Sequence, residues 1–245
     1  MLGLETLPAL LREAAERFGD HPAYVEGGSA LSYVELLARV EATAAAYAEA
    51  GVQAGDRVVL WGPNSTDWAV AALAVSYAGG VLVPVNSRYV GPEVADVVER
   101  TRARLVVVHD GFLGRDQLTE LADAGVVAPV VPLGTLTNLD SRVFSEAGPA
   151  LAEVGPDDVA DILFTSGTTG RSKGAMSAHR QTIGVADAWG SLGGVSAEDR
   201  YLVVNPFFHS FGYKIGIVVG LLTGATLYPL ATFDLDAAMA LIERL

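Results

Sequence analysis

Cysteine is absent from all 245 residues. That excludes disulfides, thiolate metal sites and a cysteine nucleophile, and it fits a reducing, cytoplasmic compartment. Basic residues are scarce, 16 against 29 acidic, for a net charge of −13. Such a chain is no default partner for a nucleic-acid backbone or an anionic membrane surface, so an anionic substrate has to be met by a local site. No internal repeat, low-complexity tract or secretory leader is visible; the opening stretch carries Glu5, Arg12, Glu13, Glu16 and Arg17 instead of a basic start followed by an apolar run. One uncharged run, Ile215 to Phe233, approaches the ~20 residues of a membrane span. Gly216, Gly220, Gly224, Thr226 and Pro229 interrupt it, and it reads as a buried helix followed by a buried strand.

What is present is core material, 51% hydrophobic residues, enough for one or two domains. Leu4, Leu7, Leu11, Ala14, Ala15 and Phe18 recur at helical spacing and predict an amphipathic helix. A hairpin follows around Gly27 and Gly28, then a capping box, Ser32 with Glu35, opening a long alanine-rich helix that ends at Gly51. Apolar strands at 57–61, 81–85, 105–108 and 126–131 alternate with helices at 67–78, 92–102 and 113–124. Continuous Val/Leu strands spaced by helices imply an α/β fold of layered, mostly parallel sheets flanked by helices. The expected division is a first α/β lobe over residues 1–135, a connection over 136–158 and a second α/β lobe over 159–245. In that second lobe, helices at 182–192, 212–222 and 234–245 alternate with strands at 201–204 and 225–228, Asp234 capping the last helix.

The most informative stretch is Asp161 to Met176. Asp161 to Phe164 reads as a short buried strand that stops where Thr165, Ser166, Gly167, Thr168, Thr169 and Gly170 begin. Hydroxyls, close-approaching glycines and the point charge of Lys173 suit an anion such as a nucleotide phosphate. The spacing is not a Walker A loop, because Ser172 precedes Lys173 and Gly174 follows it. A Gly/Thr-rich surface turn is the plain alternative for the six residues alone. Of the four histidines, His21 and His109 have no acidic or cysteine partners at ligand spacing and read as surface residues. His179 reads either as an orienting partner for the loop or as a cap for the next helix. His209 lies in an aromatic loop after a strand, where open α/β sheets bind ligands, although such a stripe is also what a core looks like.

The word TSGTTGRSKG after a strand resembles the phosphate-binding signature of the adenylate-forming superfamily: acyl-CoA synthetases, luciferases and adenylation domains of peptide synthetases. Asn205 to Gly212 (NPFFHSFG) is similar to that family's acyl-pocket loop, in the expected order along the chain. Ser172 departs from the proline most members carry, which bears on loop stiffness. The resemblance implies the N-terminal part of an acyl-CoA synthetase large domain and an enzyme that joins a carboxylic acid to AMP from ATP, then passes the acyl group to coenzyme A. It implies that Thr165, Ser166, Gly167, Thr168, Thr169 and Gly170 bind ATP phosphates, that Lys173 serves catalysis, and that Thr168 meets Mg²⁺. Phe208, His209, Phe211 and Gly212 would line the acid pocket. Among members, the chain is most similar to actinobacterial fatty-acid-CoA ligases, especially those acting on propanoate side chains of steroid fragments.

The family's later motifs are not in these residues, and Ile242 to Leu245 end inside a helical pattern without a stop signal. The expectation is therefore a truncated chain, inactive alone, that self-associates through sheet edges at 201–204 and 225–228. Two other classes stay open: an adenylation domain loading a carrier-protein thiol, and a non-catalytic module that keeps the fold.

Overall fold

The computed structural model describes residues 5–137, 153–165 and 172–244. Helix α1 (Leu7–Phe18) starts at Thr6, whose hydroxyl accepts the Ala9 N–H at 3.4 Å. Strands β1 (Pro22–Glu26) and β2 (Ser29–Ser32) form the expected hairpin, and the positive φ values of Gly27 and Gly28, 58° and 87°, explain why glycines stand there. The Ser32 hydroxyl accepts the Glu35 N–H at 3.3 Å while the Glu35 carboxylate accepts the Ser32 N–H at 2.8 Å. That reciprocal box opens α2 (Tyr33–Glu49).

The alternating part follows as β3 (Arg57–Trp61), α3 (Thr66–Tyr77), β4 (Val81–Val85), α4 (Gly91–Thr101) and β5 (Leu105–Val108). Here the expected helix over 113–124 divides. A helical turn at Phe112–Gly114 contains Leu113 with φ 58°, and α5 (Gln117–Asp123) starts afresh because Asp116 caps it, accepting the Thr119 N–H at 2.8 Å. The expected strand over 126–131 shrinks to β6 (Val130–Pro132), and Val127 is 96% exposed. After α6 (Leu133–Thr137) come β7 (Val159–Thr165), β8 (Lys173–Ala178), α7 (His179–Gly193) and β9 (Arg200–Val203). A π-helical segment (Phe211–Val218) then runs into α8 (Val219–Thr223), β10 (Thr226–Pro229) and α9 (Leu235–Arg244). Asp234 does cap α9, accepting the Ala237 N–H at 2.8 Å.

Among the described residues the strands form two sheets, ordered β6-β5-β3-β4-β7-β8 and β2-β1-β10-β9. Among the described pairings only β1–β2 and β7–β8 are antiparallel. Each sheet takes strands from both sides of residues 136–158, so sheet boundaries do not coincide with the lobe boundaries drawn from the sequence. Strand β10 is not an edge, contrary to expectation, because β1 of the N-terminal hairpin pairs with it (Tyr24 with Leu227) and β9 covers its other side. Among the described strands β9 is one edge of this sheet and β2 the other.

Helix α3 is buried from Trp68 to Tyr77 and touches β1 of one sheet and β3 and β4 of the other. A helix apolar all round belongs inside, and each fully buried Val or Leu side chain contributes ~1.5–3 kcal/mol. A charge anywhere from Ala69 to Ala74 would be buried without a partner and would break this layer. Within β3 to β5, Val58, Leu60, Leu82, Leu105 and Val107 face that layer, while Val59, Trp61, Val83, Val106 and Val108 face α4 and α5. The sheet is apolar on both faces and presents ligands only at its ends.

Candidate active site

Strand β7 runs parallel to β4, which runs parallel to β3, so all three end at one carboxyl edge. Open α/β sheets bind ligands beyond that edge. There β7 turns back into β8, pairing Thr165 with Lys173. The Thr165 hydroxyl donates to the Lys173 carbonyl at 3.3 Å, and Lys173 is exposed at the hairpin's end. Ser166, Gly167, Thr168, Thr169 and Gly170, with the expected Mg²⁺ contact among them, lie outside the described residues; the two flanks, Thr165 and Ser172 to Lys173, are described.

Those flanks are held by a residue the sequence did not single out. Arg100 of α4 donates to the Ser172 carbonyl at 2.7 Å and reaches the Ser172 hydroxyl at 3.5 Å. It pairs with Asp96 at 3.1 Å, and its guanidinium carbon lies 4.9 Å over the Phe164 ring. One planar cation thus ties the strand entering the loop to the residue leaving it. Ser172, the position that departs from proline, supplies two of the acceptors.

The second loop, Asn205 to Gly212, meets the same edge through Asn64, three residues past the end of β3. The Asn64 carbonyl oxygen accepts the Phe207 N–H at 2.6 Å, and its amide nitrogen donates to the Asn205 carbonyl at 2.9 Å and the Val203 carbonyl at 3.4 Å. Phe207 is core, 5.4 Å from Trp68 between ring centres. Phe208 is half-buried and His209 exposed, its Nδ1 accepting the Phe211 N–H at 3.2 Å. Phe211, 39% exposed, meets Trp189 edge-on at 5.6 Å, and Trp189 stacks on Tyr201 at 6.5 Å. Gly212 must be glycine, because a Cβ there would stand 2.1 Å from the Pro206 carbonyl oxygen.

Behind both loops lies a buried polar cluster. The Lys214 ammonium is 3.1 Å from Asp161 Oδ1 and donates to the Ser177 hydroxyl at 2.7 Å, while Asp161 Oδ2 accepts from the Thr182 hydroxyl at 2.6 Å. Burial pushes the Asp161 carboxyl above its ordinary value, against the pull of Lys214. Neither sequence reading of His179 describes its place. It is the buried first residue of α7, its Nδ1 accepts the Leu7 N–H at 3.3 Å, and burial pushes its imidazole down to about 4. His21 Nε2 lies 3.3 Å from the Thr226 hydroxyl. No group of three or more His, Asp or Glu able to hold a metal ion occurs among the described residues. No described helix is long and apolar enough to cross a membrane.

A profile of AMP-binding enzymes matches residues 11–245. The chain is 44% identical over 257 aligned residues to a 3-[(3aS,4S,7aS)-7a-methyl-1,5-dioxo-octahydro-1H-inden-4-yl]propanoyl:CoA ligase of Rhodococcus jostii, covering 97% of this chain and 50% of that protein. It is 40% identical to the Mycobacterium tuberculosis protein of the same name, covering 98% and 50%. The ATP-bound structure of MatB from Rhodopseudomonas palustris superposes with a TM-score of 0.83 at 29% identity, covering 98% of this chain and 48% of that one. The chain thus spans about half the length of the curated relatives it matches. With the profile covering nearly every residue, the chain belongs to the AMP-binding enzyme family.

Proposed function

We propose that this chain supplies the phosphate and acid-binding loops of an AMP-forming acid–CoA ligase. The observation that carries the reading is the meeting, at the carboxyl edge of the six-stranded sheet, of the β7–β8 hairpin bearing Lys173 and the acid loop held by Asn64. In the reaction a substrate carboxylate oxygen attacks the α-phosphorus of ATP, the bond to pyrophosphate breaks, and a coenzyme A thiolate then displaces AMP at the acyl carbon. Thr165 to Gly170 would bind the β- and γ-phosphates, and Lys173 would neutralise charge on departing pyrophosphate. Bound Mg²⁺ would add charge neutralisation on the phosphates; the hydroxyl oxygen of Thr168 is of the type it prefers. Phe208, His209, Phe211 and Gly212 would form one wall of the acid site.

The acid class we infer is a propanoate side chain on a bulky, steroid-derived ring system. The names of the Rhodococcus and Mycobacterium relatives support it, as does the wide aromatic surface of Trp189, Tyr201 and Phe211. Taken alone, the 245 residues would bind Mg·ATP weakly and turn nothing over, since the ligases they resemble are about twice as long. They would also self-associate through the β9 edge, which solution mass reads directly.

The test is pyrophosphate exchange in a full-length ligase carrying this chain. Lys173→Ala should slow exchange ~10²–10³-fold, the usual cost of one such charge-stabilising donor, with acid binding unchanged. His209→Ala should instead shift preference among acids in graded steps, each ~1–3 kcal/mol per methylene-sized misfit. Unchanged exchange in the first variant, or an effect confined to ATP in the second, would overturn the assignment.

A further inference from the structure

The chain has two lysines against fourteen arginines. Lys173 is exposed at the hairpin end, and Lys214 is 6% exposed inside the π-helical segment. The proposed chemistry does not use Lys214. Its ammonium is nonetheless held on two sides, 3.1 Å from Asp161 of β7 and 2.7 Å from the Ser177 hydroxyl of β8. Asp161 is wholly buried, and its other oxygen is held by Thr182 of α7. Four elements therefore converge on one ion pair, and two of them are the strands of the phosphate hairpin.

Such a pair is a poor way to gain stability. Desolvating two charges costs about as much as their attraction returns, and apolar residues of equal volume often serve as well. What an ion pair adds is position: an apolar side chain packs in several registers, whereas a buried ammonium is satisfied in one place. The segment holding Lys214 is where position matters. π-Turns carry one extra residue against the α register, are rare, and cluster at functional sites. This one begins at Phe211, the residue that meets Trp189 and closes the acid loop. Arginine, common elsewhere in the chain, would present a wide fork where the site offers a carboxylate and one hydroxyl; lysine presents a point charge.

We propose that Lys214 and Asp161 are a positioning pair that fixes the π register of Phe211–Val218 and locks the acid loop to the β7–β8 phosphate hairpin. The functional consequence rests on the acid-loop reading given above; the register claim does not.

The test uses the 245-residue chain with ¹⁵N-lysine. With two lysines, the wild type should give one ammonium signal in fast exchange with water, Lys173, and one protected signal, Lys214, which disappears in Asp161→Leu/Lys214→Met. That double variant should keep its far-ultraviolet circular dichroism, while acrylamide quenching of Trp189, read against Trp189→Phe to remove the buried Trp61 and Trp68, rises severalfold. Should the double variant not fold, Asp161→Asn keeps the shape and drops the charge, and it should lose the protected signal and raise the quenching. No protected lysine in the wild type, or unchanged Trp189 quenching in a folded variant, overturns the proposal. Titrating 3-cyclohexylpropanoate into a full-length ligase carrying this chain, where the acid site is complete, separates the two claims. Binding at Phe211 and Trp189 supports both, whereas no binding with the register results intact removes the acid-loop reading and leaves the positioning pair standing.

Discussion

Asn64 accepts the backbone N–H of Phe207 at 2.6 Å, so a single buried side chain from the turn after β3 fixes the start of a loop 143 residues further along the chain. Replacing it by alanine strands the Phe207 N–H and removes the donor to Asn205 and Val203. A buried group left without its partner costs ~1–3 kcal/mol. Asn64→Ala should therefore lose about that much in urea unfolding, and Asn64→Asp, which keeps the acceptor but sets a buried carboxylate against the Asn205 and Val203 carbonyls, should lose at least as much. Equal stability of all three proteins would show that Asn64 does not hold the loop.

Arg100 makes a different kind of prediction, because it is a quarter exposed and its pair with Asp96 lies at the surface. Exposed ion pairs contribute only ~0–1 kcal/mol, so Arg100→Ala should barely change stability. It should weaken Mg·ATP binding, since the carbonyl of Ser172 and the ring of Phe164 lose their common tie. Arg100→Lys should recover only part of the affinity, having no planar fork to bond and stack at once. Calorimetry on a full-length ligase carrying the chain measures both; unchanged affinity in Arg100→Ala removes the clamp.

His179 gives a pH signature. Burial pushes its imidazole from an ordinary 6.5 down to about 4, with Asp158 opposing. The folded state favours the neutral ring, so its contribution is complete above 6.5. As pH falls, the unfolded chain takes up the proton first, and stability is lost until the folded pKa of about 4 is reached. At about 1.4 kcal/mol per pKa unit, the loss is on the order of 3 kcal/mol at most. His179→Gln can still accept the Leu7 N–H and does not titrate, so its urea midpoint should fall less across that window. Identical slopes for both proteins would contradict this.

Local pattern made most of the fold legible. The Val/Leu runs of β3 to β5, the Ser32–Glu35 box and the Asp234 cap are decided by residues within a few positions of one another, and the structure has them as read. What escaped depends on distant partners. Strand β8, Lys-Gly-Ala-Met-Ser-Ala, contains no β-branched or aromatic residue and exists because β7 pairs with it. Residues 126–129 look like strand, yet β6 pairs only from Val130 onward and Pro129 precedes it. The edge expected at β10 assumes neighbours from outside these residues, and nothing near it in sequence announces that β1 pairs with it.

The site divides in the same way. The loops at 165–173 and 205–212 carry unusual local composition and could be found as words. Asn64 and Arg100, which bond Asn205, Phe207 and Ser172 of those words, are single polar residues in ordinary surroundings. Only the long-range contacts mark them.

The most direct test of the account is a ¹H–¹⁵N spectrum of the 245-residue chain titrated with Mg·ATP at fixed ionic strength, which reads weak binding residue by residue. The amides of Thr165, Ser172, Lys173 and Gly174 should shift first and saturably, those of the β1–β2 hairpin should stay still, and Lys173→Ala should weaken the response. Shifts centred elsewhere, or a response unchanged in Lys173→Ala, would contradict the placing of the phosphate site at the end of the β7–β8 hairpin.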